Sequence, residues 1–361
     1  MTLQTLWIEG FRNLQSTEIQ WHPETNLILG PNAAGKTGLL ESIHFLARFE
    51  SFRTRQIGNL IRQGGDFFRL VGRIGGSAAE AHVLGMECHA SGQRRIRLDG
   101  EEVRRRSTLA ELLPLQLLNQ EVHLLIEGGP ERRRRFLDWG VFHVEPAYRK
   151  LLSRYHRLLR QRNAALRQGL GEREVRAWDP ELSQAAGDLD RCREDYLARL
   201  EPVLQAQSAS LLGAAAISLA YRRGWPAGEL LEHQLALQFP GDRERGYTYS
   251  GPHRADLGIQ VDGQQARDRL SRGQQKMLAS GLVLAQLQLF CEHARRKALV
   301  LVDDLPSELD SVHRQRLFRQ LMELPVQRFI TAISAESLPG LPVERAVFHV
   351  KHGAFDKVVY S

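Results

Sequence analysis

The eight residues Gly30, Pro31, Asn32, Ala33, Ala34, Gly35, Lys36 and Thr37 restrict the fold of this 361-residue chain more than any other stretch. An apolar run, Asn26 to Leu29, stops at Gly30, and a stripe of Leu39, Leu40, Ile43 and Leu46 follows at helical spacing. A strand that ends in glycine and turns straight into a helix leaves the first N–H groups of that helix without partners. Such a turn holds phosphate, because glycine lets the backbone approach the anion and the helix N-terminus faces it. Lys36 is placed to reach the β- and γ-phosphates of a nucleotide, and Thr37 to set its hydroxyl on Mg²⁺.

The patterning around this turn changes twice along the chain. Short apolar runs at Leu3 to Ile8, Arg69 to Ile74 and Ala81 to Met86 predict strands, with an antiparallel extension reaching about residue 115. After Pro146, Tyr148, Leu151, Leu152, Tyr155 and Leu159 follow a helical period, and a second stripe runs from Leu182 to Leu211 behind Asp179-Pro180, read as an N-cap and a first-turn proline. These predict a helical hairpin in a compact lobe, with helices too short for a coiled-coil rod. Strand patterns return at Asp256 to Val261, Ala298 to Val302 and Arg328 to Ile333, with helices between them, as in a mostly parallel α/β sheet. The expected division is a discontinuous lobe of residues 1–115 and 240–361, with a helix-rich insert of residues 116–239.

Two further motifs carry chemistry. The apolar run Leu299 to Val302 ends in Asp303 and Asp304, where a parallel sheet delivers side chains to bound nucleotide. Asp303 is expected to hold Mg²⁺ and Asp304 to orient or deprotonate the attacking water. Ser271 and Gln274 stand at the spacing of a capping box, opening a helix with Leu278, Leu282, Ala285 and Leu289 on one face. The same string, Leu270 to Lys276 (LSRGQQK), resembles the LSGGQ signature of ABC-type ATPases. That resemblance implies that Ser271, Gly273 and Gln274 face the γ-phosphate held by a second subunit.

With the three motifs in this order, the whole chain resembles the RecF family. Phe11 to Asn13 (FRN), Gly128 to Asp138 (GGPERRRRFLD), Gly251 to Leu257 (GPHRADL) and Ser307 to Asp310 (SELD) are similar to its further blocks. Gln120 stands where the family pattern has proline, so the loop from Gln116 to Glu121 receives no role. The resemblance implies an ABC-type ATPase head, a mostly parallel sheet with antiparallel extension, interrupted by a helical second lobe. It also implies a weak ATPase using ATP and Mg²⁺, an ATP-dependent homodimer, and binding to DNA, single-stranded and duplex with gapped junctions among the candidate forms, in single-strand gap repair, replication restart and the SOS response with RecO, RecR and RecA. The run from Arg132 to Arg135 divides evenly between DNA contact through Arg133 and Arg134 and a structural role beside Phe136, Leu137 and Trp139.

Composition excludes little but agrees. A formal charge of +7, with only six lysines among 49 basic residues, suits a phosphate backbone. Cys88, Cys192 and Cys291 are widely spaced without a CxxC, and no apolar run of 18 residues occurs, so a cytoplasmic protein without structural zinc or a membrane span is expected. The alternative reading, the ATPase subunit of an ABC transporter, shares the three nucleotide motifs, but neither the basic balance nor the long helical insert belongs to it. A GTPase switch would need NKxD, and no lysine here follows an asparagine.

Overall fold

The computed structural model describes residues 1–76, 81–213, 215–304 and 310–360. The chain forms two compact units, Met1–Val122 with Phe290–Ser361, and His123–Leu289.

The first unit holds two six-stranded sheets. One runs in the order Ala354–Tyr360, Arg345–Lys351, Thr25–Leu29, Gln327–Ala332, Leu299–Val302, Leu115–Leu118, parallel except for the Ala354–Tyr360 edge. Its three central strands are buried at every position, which explains why they read as unbroken apolar runs rather than as alternations. The other sheet is antiparallel, in the order Thr17–Gln20, Thr2–Glu9, Phe67–Gly75, His82–His89, Arg94–Leu98, Glu101–Glu102. Leu3, Leu6 and Ile8 from its second strand meet Leu39, Ile43 and Leu46 of the Lys36–Arg48 helix in one core. Phe11, Phe45 and Phe68 pack edge to face or tilted there, with centroids 5.0 to 6.4 Å apart.

A buried glutamine ties the sheets together. Gln327 Nε2 donates to Leu3 O (2.8 Å) and His22 O (3.0 Å), while its Oε1 accepts from Leu3 N (2.8 Å). Its amide thereby satisfies backbone groups that the ladders leave open in the interior.

The second unit is helical around a small antiparallel sheet, Gln264–Gln265, Asp256–Val261 and Ile217–Arg222. Asp256 to Val261 was expected in the large α/β sheet. It pairs instead with Ile217–Arg222, and the expected boundary at 239/240 falls inside this unit for the same reason. The helices Tyr148–Arg167 and Asp179–Leu212 pack on each other as the hairpin pattern predicts. The second, 34 residues long, spans the stripe read from Leu182 to Leu211 and continues through Pro202. Asp179 is not its cap. The N-cap position is Trp178, and the Asp179 carboxylate instead accepts from buried Arg162 Nε at 2.7 Å. Arg162 NH1 reaches Asp242 (2.9 Å) and Thr248 Oγ1 (2.8 Å), so a fully buried guanidinium joins three segments.

Replacing Gln327 with Leu keeps the volume but takes the side-chain partner from the buried Leu3 N–H and C=O, while His22 O keeps its bond from Asn26 Nδ2 (2.9 Å). Urea unfolding should show a loss of about 2 to 4 kcal/mol.

Candidate functional site

The turn from Gly30 to Thr37 has the backbone its sequence requires. Gly30 sits at φ +156°, where a Cβ would lie 2.4 Å from Val350 O, and Gly35 at φ +117°. Ala33 takes a left-handed φ of +62°. The Lys36–Arg48 helix has no side-chain cap and no acid in its first turn, so its leading N–H groups and the positive end of its dipole face outward. A cavity of about 470 Å³ lies against Gly30 to Ala34, with His349 to His352 opposite.

Lys36 Nζ donates to Gly30 O (2.7 Å) and Pro31 O (2.9 Å), which leaves one of its three hydrogens for a further acceptor. Burial lowers its pKa, and the charges of Asp304 and Asp303 work against that fall. Both acids therefore stand close enough to act on the ammonium.

Asp303 and Thr37 meet across 266 residues. Thr37 Oγ1 donates to Asp303 Oδ1 at 3.0 Å, and Thr331 Oγ1 lies 3.1 Å from the same oxygen. Burial raises the Asp303 pKa, the two hydroxyls lower it, Asp304 adds to the rise, and Arg53 opposes it. The Asp303 N–H donates to Leu118 O (2.8 Å), which fixes where the strand releases its side chain. A hydroxyl and a carboxylate this close form the hard oxygen pair that Mg²⁺ takes, and a divalent cation between them would draw the raised pKa back down. Asp304 is exposed at φ +52°, its N–H bonded to Thr331 Oγ1 at 2.8 Å.

Sequence reasoning missed Thr331, whose hydroxyl serves both acids. Its position, the penultimate residue of a parallel strand beside Leu299–Val302, was the available signal. Arg12 was also missed as a site neighbour. It holds buried Glu41 bidentately (2.8 and 2.9 Å), and Ser51 donates to the same carboxylate, which pins the first loop to the nucleotide-turn helix. The loop after Leu118, left without a role, is closed by Asn119 Oδ1 accepting from Glu121 N (3.1 Å). From SELD, Ser307, Glu308 and Leu309 lie outside the described residues; Asp310 caps the Ser311–Glu323 helix through His313 N.

In the second unit the capping box forms as spaced. Ser271 N donates to Gln274 Oε1 (3.0 Å) and Gln274 N to Ser271 Oγ (3.3 Å), with Ser271 and Gln274 exposed and Gly273 half-buried. Arg133 and Arg134 are engaged inside the unit. Arg133 grips Asp256 with Nε (2.7 Å) and NH2 (3.2 Å), and Arg134 NH1 donates to Ala255 O (2.8 Å). A phosphate contact would have to strip Arg133 from a buried carboxylate, which favours the structural role for Arg133 over DNA contact. That bond also joins the Gly128–Asp138 and Gly251–Leu257 blocks, which the sequence left as separate motifs.

Thr331→Val removes one donor from Asp303 and the acceptor of the Asp304 N–H. The Asp303 pKa should rise further in a carbon-13 carboxyl titration. Because a raised folded pKa penalises the ionised form, the stability lost should be larger at pH 7 than below the ordinary Asp value of about 3.9.

The comparisons with known proteins agree with this geometry. The model of the RecF/RecN/SMC N-terminal domain matches residues 2–355. "DNA replication and repair protein RecF" of Stutzerimonas stutzeri is 41% identical over 357 residues, covering 98% of this chain and 96% of that one. The protein of the same name from Azotobacter vinelandii is 41% identical over 362 residues, covering 98% of each. A solved structure described as the recombination mediator protein RecF-ATP in the RecFOR pathway superposes with a TM-score of 0.87 at 26% identity, over 99% of this chain and 98% of that one. An SMC head domain shares the fold, with a TM-score of 0.64 at 14% identity, over 100% of this chain and 98% of that one. A transporter subunit has no support here, and no helix among the described residues is long and apolar enough to cross a membrane. With a family model spanning nearly every residue and relatives at 41% identity along the whole chain, this protein belongs to the RecF family.

Proposed function

We propose that this chain is an ATP-dependent DNA-binding protein of recombinational repair, with a slow ATPase that switches a dimer on and off DNA. The observation that carries the reading is the Thr37–Asp303 hydrogen bond beside Lys36, since it assembles both halves of a nucleotide-phosphate site from segments 266 residues apart. The names of the relatives support the repair context, and the RecFOR pathway named for the solved structure supports RecO and RecR as partners. RecA is the expected downstream protein by family resemblance.

In this reading the N–H groups of the turn and Lys36 bind and orient the β- and γ-phosphates of ATP. Thr37 and Asp303 would hold Mg²⁺, which would supply neutralisation of the phosphate charge. Asp304 orients the attacking water. Its carboxylate is one methylene shorter than a glutamate, and its backbone is held in a left-handed conformation, so turnover is slow. The exposed Ser271 and Gln274, with half-buried Gly273 between them, present a helix N-terminus to the nucleotide of a second copy.

DNA binding is tested by titrating the protein with duplex DNA under ATP, ADP and no nucleotide across salt concentrations. Log affinity should fall linearly with log salt at about −0.9 per phosphate contact, with ATP strengthening the hold. A flat salt response would sink the DNA assignment.

The composite site is tested with Ser271→Arg. ATP binding by the single subunit should stay near the unsubstituted value, while ATP-driven dimerisation, read by light scattering, and hydrolysis disappear. Lys36→Ala, run in parallel, should lose ATP binding itself. If Ser271 serves only as a cap, the substitution costs about 0.5 to 2 kcal/mol of stability and dimerisation persists, which would overturn the shared site.

A further inference from the structure

The segment after the Phe239–Arg245 helix alternates in burial in a way that no packing role explains. Thr248 and Ser250 are buried, while Tyr247 and Tyr249 are 38% and 52% exposed. The inward residues are tightly held. Thr248 N and Oγ1 both donate to Asn163 Oδ1 (2.8 and 2.7 Å), and Thr248 Oγ1 also accepts from buried Arg162. Ser250 Oγ donates to Gln238 Oε1 (2.7 Å), and Tyr249 N to Asp242 Oδ1 (3.0 Å). His253 closes the loop, with Tyr155 OH on one ring nitrogen (2.6 Å) and Thr248 O on the other (3.0 Å); burial holds its pKa down to about 4, so both bonds persist at neutral pH. The outward tyrosines are therefore presented on a backbone that is already rigid.

Arginines surround the rings. The Arg254 guanidinium lies 5.4 Å from the Tyr247 ring centre and 5.3 Å from that of Tyr249, and Arg245 lies 5.0 Å from the Tyr249 ring. Arg245 also pairs with Asp242, but Arg254 has no acidic partner among the described residues. The exposed Arg167 side chain runs beside Gly246, where a Cβ would lie 3.3 Å from its Cγ. Two solvent-facing aromatic rings interleaved with arginines combine flat apolar faces for bases with cations for the phosphates between them. A duplex keeps its base faces stacked internally and offers them to no such surface. Unpaired strands expose them.

We propose that Tyr247, Tyr249 and Arg254, with Arg167 at the edge, form a stacking platform for single-stranded DNA. The inference rests on the reading of this chain as a DNA-binding protein and adds the surface and the residues that grip an unpaired strand. Rigid tyrosines bring stacking area at small entropic cost, and Arg254 turns its unpaired donors to the backbone.

The test uses the full-length protein, an oligothymidylate of about thirty nucleotides and a duplex of equal length, both followed by fluorescence anisotropy. Each stacked ring is worth about 1 to 3 kcal/mol, so Tyr247→Ala/Tyr249→Ala should weaken oligothymidylate binding by at least roughly twentyfold and duplex binding by less than about twofold. Tyr247→Phe/Tyr249→Phe should restore it, since the faces remain. Thermal unfolding should match the unsubstituted protein because both rings lie at the surface. In a second readout, 5-iodouracil oligonucleotides should cross-link to a peptide containing Tyr247 and Tyr249. Unchanged oligothymidylate affinity in the alanine variant, with duplex binding intact, would overturn the platform and leave the DNA reading standing. An unsubstituted protein that binds neither DNA would overturn that reading, and the platform with it.

Discussion

One half-buried carboxylate organises the first unit. Asp303 is released at the end of a strand that is solvent-free along its whole length, and burial pushes its pKa up. What keeps a charge tolerable there is a pair of hydroxyls, Thr37 from the turn after Thr25–Leu29 and Thr331 from the end of Gln327–Ala332. The strand of Thr331 lies between the other two, so the segments carrying Thr37, Thr331 and Asp303 are adjacent only because the parallel sheet orders them so. Interleaving by parallel strands demands long crossovers, and the interruption of this unit by the second one follows from the same topology. Lys36 completes the balance of charge, its lowered pKa opposed by the two acids beside it.

The second unit solves a different problem. It buries Arg162 and Arg193 almost completely, and a buried guanidinium is costly unless its donors are met. Arg193 meets Asp138 (2.7 Å), Tyr148 OH (3.0 Å) and Pro252 O (3.0 Å). Arg133 meets Asp256. Through these contacts the Gly128–Asp138 and Gly251–Leu257 blocks become one polar framework, which explains why arginine, with its planar fork of donors, stands at these positions where lysine would leave acceptors unmet. Gly251, at φ +135°, is required by the same closeness, since a Cβ there would lie 2.6 Å from Tyr155 OH.

Capping and signature roles at Ser271 use the same atoms without conflict. A hydroxyl that accepts from Gln274 N still has a proton to give, and the box holds that hydroxyl at the exposed mouth of a long helix. The local bond presets the helix end, and the proposed function at a second copy's nucleotide uses that preset geometry. The segment from Tyr247 to Ser250 shows the same division, with inward Thr248 and Ser250 fixing the backbone and Tyr247 and Tyr249 left exposed.

The sequence alone determined the local chemistry. The glycine spacing of residues 30 to 37 dictates a phosphate turn because only that backbone satisfies its φ values, and the apolar runs ending in Gly30 and Asp303 dictate buried strands. The helical periods and the Ser271 capping box were legible for the same reason: each is a rule about neighbours in the chain. Contacts of long separation were not legible. Nothing local marks Gln327 as the amide that joins two sheets, Thr331 as the shared donor at Asp303, or Asp179 as a partner for Arg162 rather than a cap. Nor does the Asp256–Val261 pattern say which sheet will take it, because alternation specifies a strand and not its neighbour. Tertiary structure decided these, since a buried polar group takes whichever partner the fold brings within reach of it.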